Sequence, residues 1–429
     1  MQDAVNPYIF TRALQPQEFL GRTYEVRRLF SQIITGQSTA LIGTPKSGKT
    51  SLLLYLVDEA VRAQYLDDKH QSIFFIYLDV HGLLDLPSVA AFWERVLSPL
   101  GNQLQNASPE KLAQAFQACR GNQFADAYLK HFFSLLEVFD LTLVLVMDEF
   151  DVFFSHKKLE LGVLFGSLRA RCSASKSLVN VISSKTSVSE LNARGANVIA
   201  DGSPLFNNYF EFNLAQLEQD TLQRLLGRCP AFDPTDRVFI EGFSGGLPYF
   251  SQAAAHFLWE ARQRGMAGSS AIAFAARDTT KQLRPHLAAL WRSLGADFKK
   301  ALTAVALTRI PQLLEHERFI SLEQELGFYG PELEKLSDLG LLVELDDSWD
   351  FRARPLLWWL GEELARTLRD VTAFDDWLKQ YQLEGLLSGE QKKRLAEKAG
   401  KSFALMGRLG QTMMESFLKG LGSSLGKSS

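Results

Sequence analysis

Gly43-Thr44-Pro45-Lys46-Ser47-Gly48-Lys49-Thr50 stands between an apolar run, Ala40-Leu41-Ile42, and a leucine-rich stretch that begins at Leu52. Two glycines at this spacing, followed by lysine and threonine, match a loop whose backbone N–H groups curl around a phosphate chain. In such a loop Gly43, Thr44, Pro45, Lys46, Ser47 and Gly48 form the cradle and the Lys49 ammonium reaches the β- and γ-oxygens. The Thr50 hydroxyl then ligates Mg2+ at the N-terminus of the next helix, and Ser51 completes the phosphate-facing turn. The motif needs a strand before it and a helix after it, and both are legible here. The expected ligand is a nucleoside triphosphate with Mg2+.

Outward from this loop, residues 72–80 (Ile73, Phe74, Phe75, Ile76, Tyr77, Leu78) and 141–147 read as buried strands, with further strands over 178–182 and 209–212. Between them apolar residues recur at helical spacing over 92–104 and 125–139. Ser108-Pro109-Glu110 opens another helix with an N-cap and a proline at the first position, and a helix is expected over 158–171. Strands alternating with helices predict an α/β fold, a parallel sheet sandwiched by helices, with the ligand beyond the carboxyl ends of the strands.

Asp148 and Glu149 follow the apolar strand over 141–147 directly. Acids after a strand are common in loops, and the phosphate loop upstream is what gives these two their meaning. Asp148 is the candidate Mg2+ ligand, acting through water. Glu149 is the candidate group that orients or deprotonates the attacking water. Ser183 and Ser184 end the next strand, where a hydroxyl can report the γ-phosphate. Ser184 joins Glu149 and Lys49 in the expected catalytic set, and Lys185 adds charge beside it. Arg169 and Arg171 have the reach of a trans-acting arginine, but cations at a helix C-terminus also satisfy its dipole, and that simpler role is preferred.

Beyond residue 216 the pattern turns helical, over 217–226, 235–243 and 248–264, closed by Gly265, and predicts a helical lid over 216–295. Helices over 301–307, 322–326 and 331–339 precede Leu341-Leu342-Val343-Glu344-Leu345, a turn at Asp346-Asp347-Ser348, and Trp349-Asp350-Phe351-Arg352. That sequence predicts a winged helix over 296–365. The phosphate-loop core is expected over 31–215 behind a linker over 1–30, and 366–429 reads as a basic helical tail. Residues 391–429 carry eight Lys or Arg against two acids, with Phe403, Met406, Met413, Met414, Phe417 and Leu421 near one helical face. Such a tail suits a partner's groove, an anionic membrane surface, or its own chain. The stretch 331–338 is acidic where duplex contacts demand Lys or Arg, so nucleic acid is not the favoured partner.

Phe19-Leu20-Gly21-Arg22, the phosphate loop, Asp148-Glu149, Ser203-Pro204-Leu205-Phe206-Asn207 and Gly246-Leu247-Pro248-Tyr249 occur in one order. In that order the chain resembles STAND NTPases and their prokaryotic AAA+ relatives, over about residues 16–360. The resemblance implies an ATP/ADP site in which Phe19, Gly21 and Arg22 lie near the adenine and Pro248 of the lid contacts the nucleotide. It also implies a winged helix packed behind to hold an ADP-bound closed state. The chain departs from the pattern at Thr23, where an acid is common, and at Lys185, where many members have arginine. The implied role is a switch that controls oligomerisation or engagement of a partner protein in signalling or defence, an association rather than a derivation. A nucleic-acid ATPase of loader, replication or transposition type, and a nucleotide-stabilised scaffold without turnover, are the competing readings.

The remaining composition narrows the field. With 429 residues the chain is long enough for two to four domains, and a formal net charge of -3 gives no global field for nucleic acid or membrane. Cys119, Cys172 and Cys229 stand far apart, against a disulfide framework or a zinc site. His70, His81, His131, His156, His256, His286 and His316 show no ligand spacing, so no metal beyond Mg2+ is expected. Without a leader or an unbroken run of eighteen apolar residues, the expected setting is the cytoplasm.

Overall fold

The computed structural model describes residues 5–107, 110–198, 204–309, 326–346, 348–367, 371–385 and 388–393. The tail from residue 394, all but the last residue of the helix expected over 322–326, and Ser108, Pro109 and Ser203 lie outside them. The chain forms two compact units. One is Ala13–Leu214, and the other joins Met1–Arg12 to Ala215–Ser429.

In the first unit, α1 (Thr23–Ile34) leads to β1 (Ser38–Ile42), and the phosphate-loop motif then runs into α2 (Lys49–Val57) and α3 (Glu59–Leu66). β2 (Ile73–Asp79), helices α4 (Val89–Ala107), α5 (Glu110–Gly121) and α6 (Asp126–Val138), β3 (Thr142–Asp148), α7 (Leu161–Ala174), β4 (Leu178–Ser184), α8 (Val188–Gly195) and β5 (Tyr209–Asn213) follow. The strands make one sheet in the order β2-β3-β4-β1-β5, and every pairing is parallel. All seven residues of β3 and of β4 are buried; β3 reads as a near-continuous apolar run rather than an alternating one, whereas β4 buries Asn180, Ser183 and Ser184 among its apolar residues.

Period-two alternation assigns the two faces of this sheet. Val144, Val146, Val179 and Val181 pack with Val26, Leu29, Phe30 and Ile33 of α1, Leu52, Leu53 and Leu56 of α2, and Val61 and Leu66 of α3. The apolar spacing along α1 is the i, i+3, i+4, i+7 stripe that seats a helix on a sheet. A cluster of aromatic rings forms a second core in this unit. Trp93 of α4 meets Phe133 of α6 edge to face, and Phe165 of α7 packs on Phe150, Phe153 and Phe206. Burying each such ring is worth about 1.5–3 kcal/mol.

The second unit is helical apart from one hairpin among its described residues. It contains α9 (Gln219–Leu226), α10 (Pro234–Ser244), α11 (Pro248–Gln263), α12 (Gly268–Ser293) and α13 (Ala296–Arg309). After these come α14 (Gly330–Asp338), the antiparallel pair β6 (Leu342–Leu345) and β7 (Ser348–Phe351), then α15 (Arg354–Thr367) and α16 (Val371–Gln380). Arg309 at the end of α13 donates to the Trp349 carbonyl at 2.6 and 2.9 Å, tying the hairpin to the helices. Trp291 of α12 packs against Trp359 of α15 and Trp377 of α16. The sequence over 268–293 carries a Gly-Ser-Ser start and an internal Pro285, both of which argue locally against the 26-residue helix found there.

The linker expected over 1–30 is instead divided. Residues up to Arg12 belong with the helical unit, where Tyr8 stacks on Phe232 and its hydroxyl donates to the Leu226 carbonyl at 3.1 Å, while Thr23–Ile34 is α1 of the sheet unit. No helix among the described residues is long and apolar enough to cross a membrane.

Candidate functional site

The phosphate-loop motif leaves β1 at the carboxyl edge of the sheet and closes on α2. Gly43 has no room for a side chain: a Cβ there would sit 2.5 Å from Ser47 Oγ and 2.8 Å from the Leu214 carbonyl oxygen. Gly48, the N-cap of α2, has φ +98, a left-handed conformation that favours glycine. Lys49 turns back over the loop and donates to the carbonyls of Gly43 at 2.7 Å and Thr44 at 3.0 Å. Burial penalises its charge and draws its pKa down to about 8. Asp148, Asp151 and Glu149 oppose that shift, and Lys185 reinforces it. Ser47 Oγ is buried and makes no hydrogen bond among the described residues. A desolvated ammonium donating only to carbonyls and an unsatisfied buried hydroxyl are conditions that a phosphate oxyanion relieves, so the loop fits the ligand its sequence implies.

Two strands away, Asp148 ends β3 and is buried. It accepts hydrogen bonds from the Ser183 hydroxyl, from the Tyr77 hydroxyl at 3.0 Å, and from the Glu149 N–H at 3.1 Å. Ser183 Oγ also accepts from the Glu149 N–H at 2.9 Å. Burial, and then the charge of Asp148, push the Tyr77 phenol well up. Glu149 has φ 54 and is half-exposed, and its carboxylate meets His81 Nε2 at 2.6 Å. Asp79 pairs in register with Asp148, which sets the turn after β2, and with it His81, beside the turn after β3.

Ser183, not Ser184, is the hydroxyl that touches the acidic pair. Ser184 is fully buried, and its hydroxyl closes a local turn on Thr186, at 3.1 Å to Oγ1 and 3.0 Å from the backbone N–H. In the sequence Tyr77 is only a strand residue and His81 a histidine without ligand spacing, and nothing marks Asp151. Only the strand register, which sets Met147 beside Ile182 and so Asp148 beside Ser183, would have revealed part of this set. Arg171 is buried, paired with Asp126 at 2.8 Å and lying over the Trp93 ring. Arg169 is exposed.

Phe19 stacks on Tyr55 of α2 at 4.5 Å, so the Phe19-to-Arg22 segment lies along the helix that the phosphate loop starts. Gly21 has φ 76 and Arg22 φ 57, and the Arg22 guanidinium forms a buried pair with Glu25 at 2.9 Å. Ser51 Oγ accepts from the Leu14 N–H at 3.0 Å, and Thr50 is half-buried. These residues, Lys49, Asp148, Glu149 and Ser184 all belong to the sheet unit. Pro248 belongs to the helical unit, at the first position of α11 behind Gly245 and Gly246, both with positive φ. No group of three or more His, Cys, Asp or Glu able to hold a metal exists among the described residues.

A parallel sheet in this order, with a Gly-Lys-Thr loop leaving its β1 strand, is the α/β fold of P-loop ATPases, followed here by a helical carboxyl-terminal region. No protein-family model matches the chain, and no curated protein matches it. Among solved structures it is similar to the Walker-type ATPase of Pyrococcus abyssi, with 15% identity and a TM-score of 0.53 over 82% of this chain and 99% of that one. The ORC2 protein of Aeropyrum pernix, in ADPNP–ADP complexes, aligns with 14% identity and a TM-score of 0.45 over 94% of this chain and 97% of that one. A RuvB variant of Thermotoga maritima gives 13% and 0.36 over 79% and 95%. At these identities the likeness is one of fold.

Proposed function

We propose that the chain is an ATP-binding and slowly hydrolysing molecular switch of the STAND or AAA+ type, which controls oligomerisation or engagement of a partner protein in signalling or defence. The observation that carries this reading is the loop itself: a Lys49 ammonium with a lowered pKa, held over its own carbonyls, on the same sheet edge as Asp148 and Glu149. A bound Mg2+–triphosphate would supply the electrophilic phosphorus and the charge that these residues answer. Lys49 exchanges two carbonyls for phosphate oxygens. Thr50 and Asp148 are the residues that would hold Mg2+, and the hydroxyls of Tyr77 and Ser183 keep Asp148 in one orientation. Glu149 orients and deprotonates the attacking water.

Slow turnover is supported by the position of Glu149. His81 draws its carboxylate toward the β2 edge, away from β1 and the loop. In this reading residues 216–295 are the lid, with Pro248 as its nucleotide contact, and 296–365 the winged helix that holds the ADP state. Phe19, Gly21 and Arg22 line the adenine side. Moving a switch from 1:99 to 99:1 takes about 5.5 kcal/mol of differential affinity, within the range of a γ-phosphate met by a lysine, a metal and a further cation.

The test pairs nucleotide binding with particle size. Labelled ATP is expected to bind saturably with Mg2+, and Lys49→Ala to abolish binding. Glu149→Gln should bind normally while phosphate release falls by about 100-fold or more. Particle size should differ between ADP and a non-hydrolysable ATP analogue. Equal size in both states removes the switch, and unchanged phosphate release in Glu149→Gln removes Glu149 as the base.

A further inference from the structure

His81 meets Glu149 in the open, with the two side chains 56% and 54% exposed. A contact between side chains this solvated does little to hold its own geometry, so the turns that carry the two residues must set it. Glu149 immediately precedes a 3-10 turn (Phe150–Ser155) whose Phe150 and Phe153 are fully buried, with Phe153 edge to face against Phe92, Phe150 and Phe165. The aromatic core fixes that turn. His81 sits in a shorter 3-10 turn (Val80–Leu83), capped at its start by Asp79, whose Oδ1 accepts from the His81 N–H at 3.0 Å. The far end of this second turn is tied by His156, the buried C-cap of the first. His156 Nε2 lies 3.1 Å from the Leu83 carbonyl oxygen, while Nδ1 lies 3.1 Å from the Lys158 nitrogen and 3.0 Å from the Leu159 nitrogen. A carbonyl only accepts and a backbone amide only donates, so the ring is neutral with its proton on Nε2, and both ring nitrogens are committed.

We propose that His156 is a positioning residue that staples the turn after β2 to the turn after β3, and through His81 sets the resting orientation of the Glu149 carboxylate. The inference rests on the reading of Glu149 as the group that activates water, and adds the residue that fixes where it waits. The task suits an imidazole. One side chain must accept from amides two and three residues ahead while donating across to another turn, and a neutral ring has one nitrogen for each. Asparagine can do only the first. Its Oδ1 accepts from the same two amides, as in an Asx turn, but its nitrogen lies nearer the backbone than Nε2 does and leaves the Leu83 carbonyl without its donor. His156→Asn therefore keeps the local turn and cuts the staple.

The experiment is a double-mutant cycle between His81→Ala and His156→Asn in the full chain, read by steady-state ATP hydrolysis and by equilibrium binding of a non-hydrolysable ATP analogue. His156→Asn should raise kcat by about twofold to fivefold, with KM and analogue affinity within about twofold of the wild type. In the double variant kcat should match that of His81→Ala within about 1.5-fold, because His156 acts only through His81. A role confined to bracing the fold would lower activity and affinity together, or would combine multiplicatively with His81→Ala, and either result overturns the proposal. Nitrogen NMR of the wild-type rings gives an arm that needs no variant to fold. A neutral His156 with its proton on Nε2 is expected at neutral pH, and the opposite tautomer or a charged ring overturns the staple. Phosphate release unchanged in Glu149→Gln would instead refute the reading of Glu149 as the base.

Discussion

Lys49 carries its positive charge at a cost, and that cost has a pH signature. Its folded pKa of about 8 lies below the ordinary 10.5, so between these values the unfolded chain binds the proton more tightly than the folded one. The penalty is therefore complete below pH 8 and fades as pH rises toward 10.5, where stability recovers. A phosphate favours the protonated lysine, so nucleotide affinity should be flat near neutrality and weaken above about pH 8. Titrations at several pH values should show this in the wild type and a flatter profile in Lys49→Arg, whose guanidinium stays charged. Unchanged affinity to pH 9.5 or so in the wild type would show that Lys49 is not the titrating group. At the same scale, the His81 contact restrains Glu149 on the side away from the loop. His81→Ala is expected to raise kcat by about threefold to tenfold with KM nearly unchanged, whereas a fall in kcat would mean that His81 assists the base.

Elements join through a few close approaches, and the turn between α10 and α11 is one. A Cβ on Gly245, whose φ is +60, would lie 2.3 Å from the Arg352 carbonyl oxygen just past β7, so the turn and the hairpin are in direct backbone contact. Gly265, at φ +75 with nothing within 4 Å, has the same conformational demand without the neighbour. Chemical denaturation of Gly245→Ala and Gly265→Ala should therefore differ by about 1–3 kcal/mol, the larger loss falling on Gly245. Equal losses would leave only backbone strain. How far such elements were legible follows from how local their causes are. The phosphate loop declares itself by the spacing of its glycines, lysine and threonine, and β3 by burial that is continuous along the chain. The partners of Asp148 and Glu149 come from β2, from the turn after it, and from β4, and no spacing within a single segment records that Tyr77, His81 and Ser183 converge. Ser184 was favoured over Ser183 for the same reason: which of two adjacent hydroxyls faces the acid depends on strand register. α12 was missed because Pro285 is a local signal that tertiary packing overrides.

At the scale of the whole molecule the sheet unit is an insertion, entered after Arg12 and left at Leu214, within a helical unit that begins near the amino terminus. Tyr8 and Phe10 are buried there, so the first residues of the chain stabilise a region more than two hundred positions away. Tyr8→Ala should cost the helical unit about 3–5 kcal/mol. Tryptophan fluorescence reads that unit selectively, since six of the seven tryptophans follow residue 215. A matching loss in the sheet unit would contradict the division. Both crossings between the units are moored at the cradle: the Leu14 N–H is held by Ser51 Oγ, and the Leu214 N–H by the Ile42 carbonyl at 2.7 Å. These two amide protons are natural isotope-exchange reporters. If filling the cradle tightens its anchors, deuterium uptake at Leu14 and Leu214 should slow in step, giving a label-free view of occupancy at the two points where the chain passes between the units.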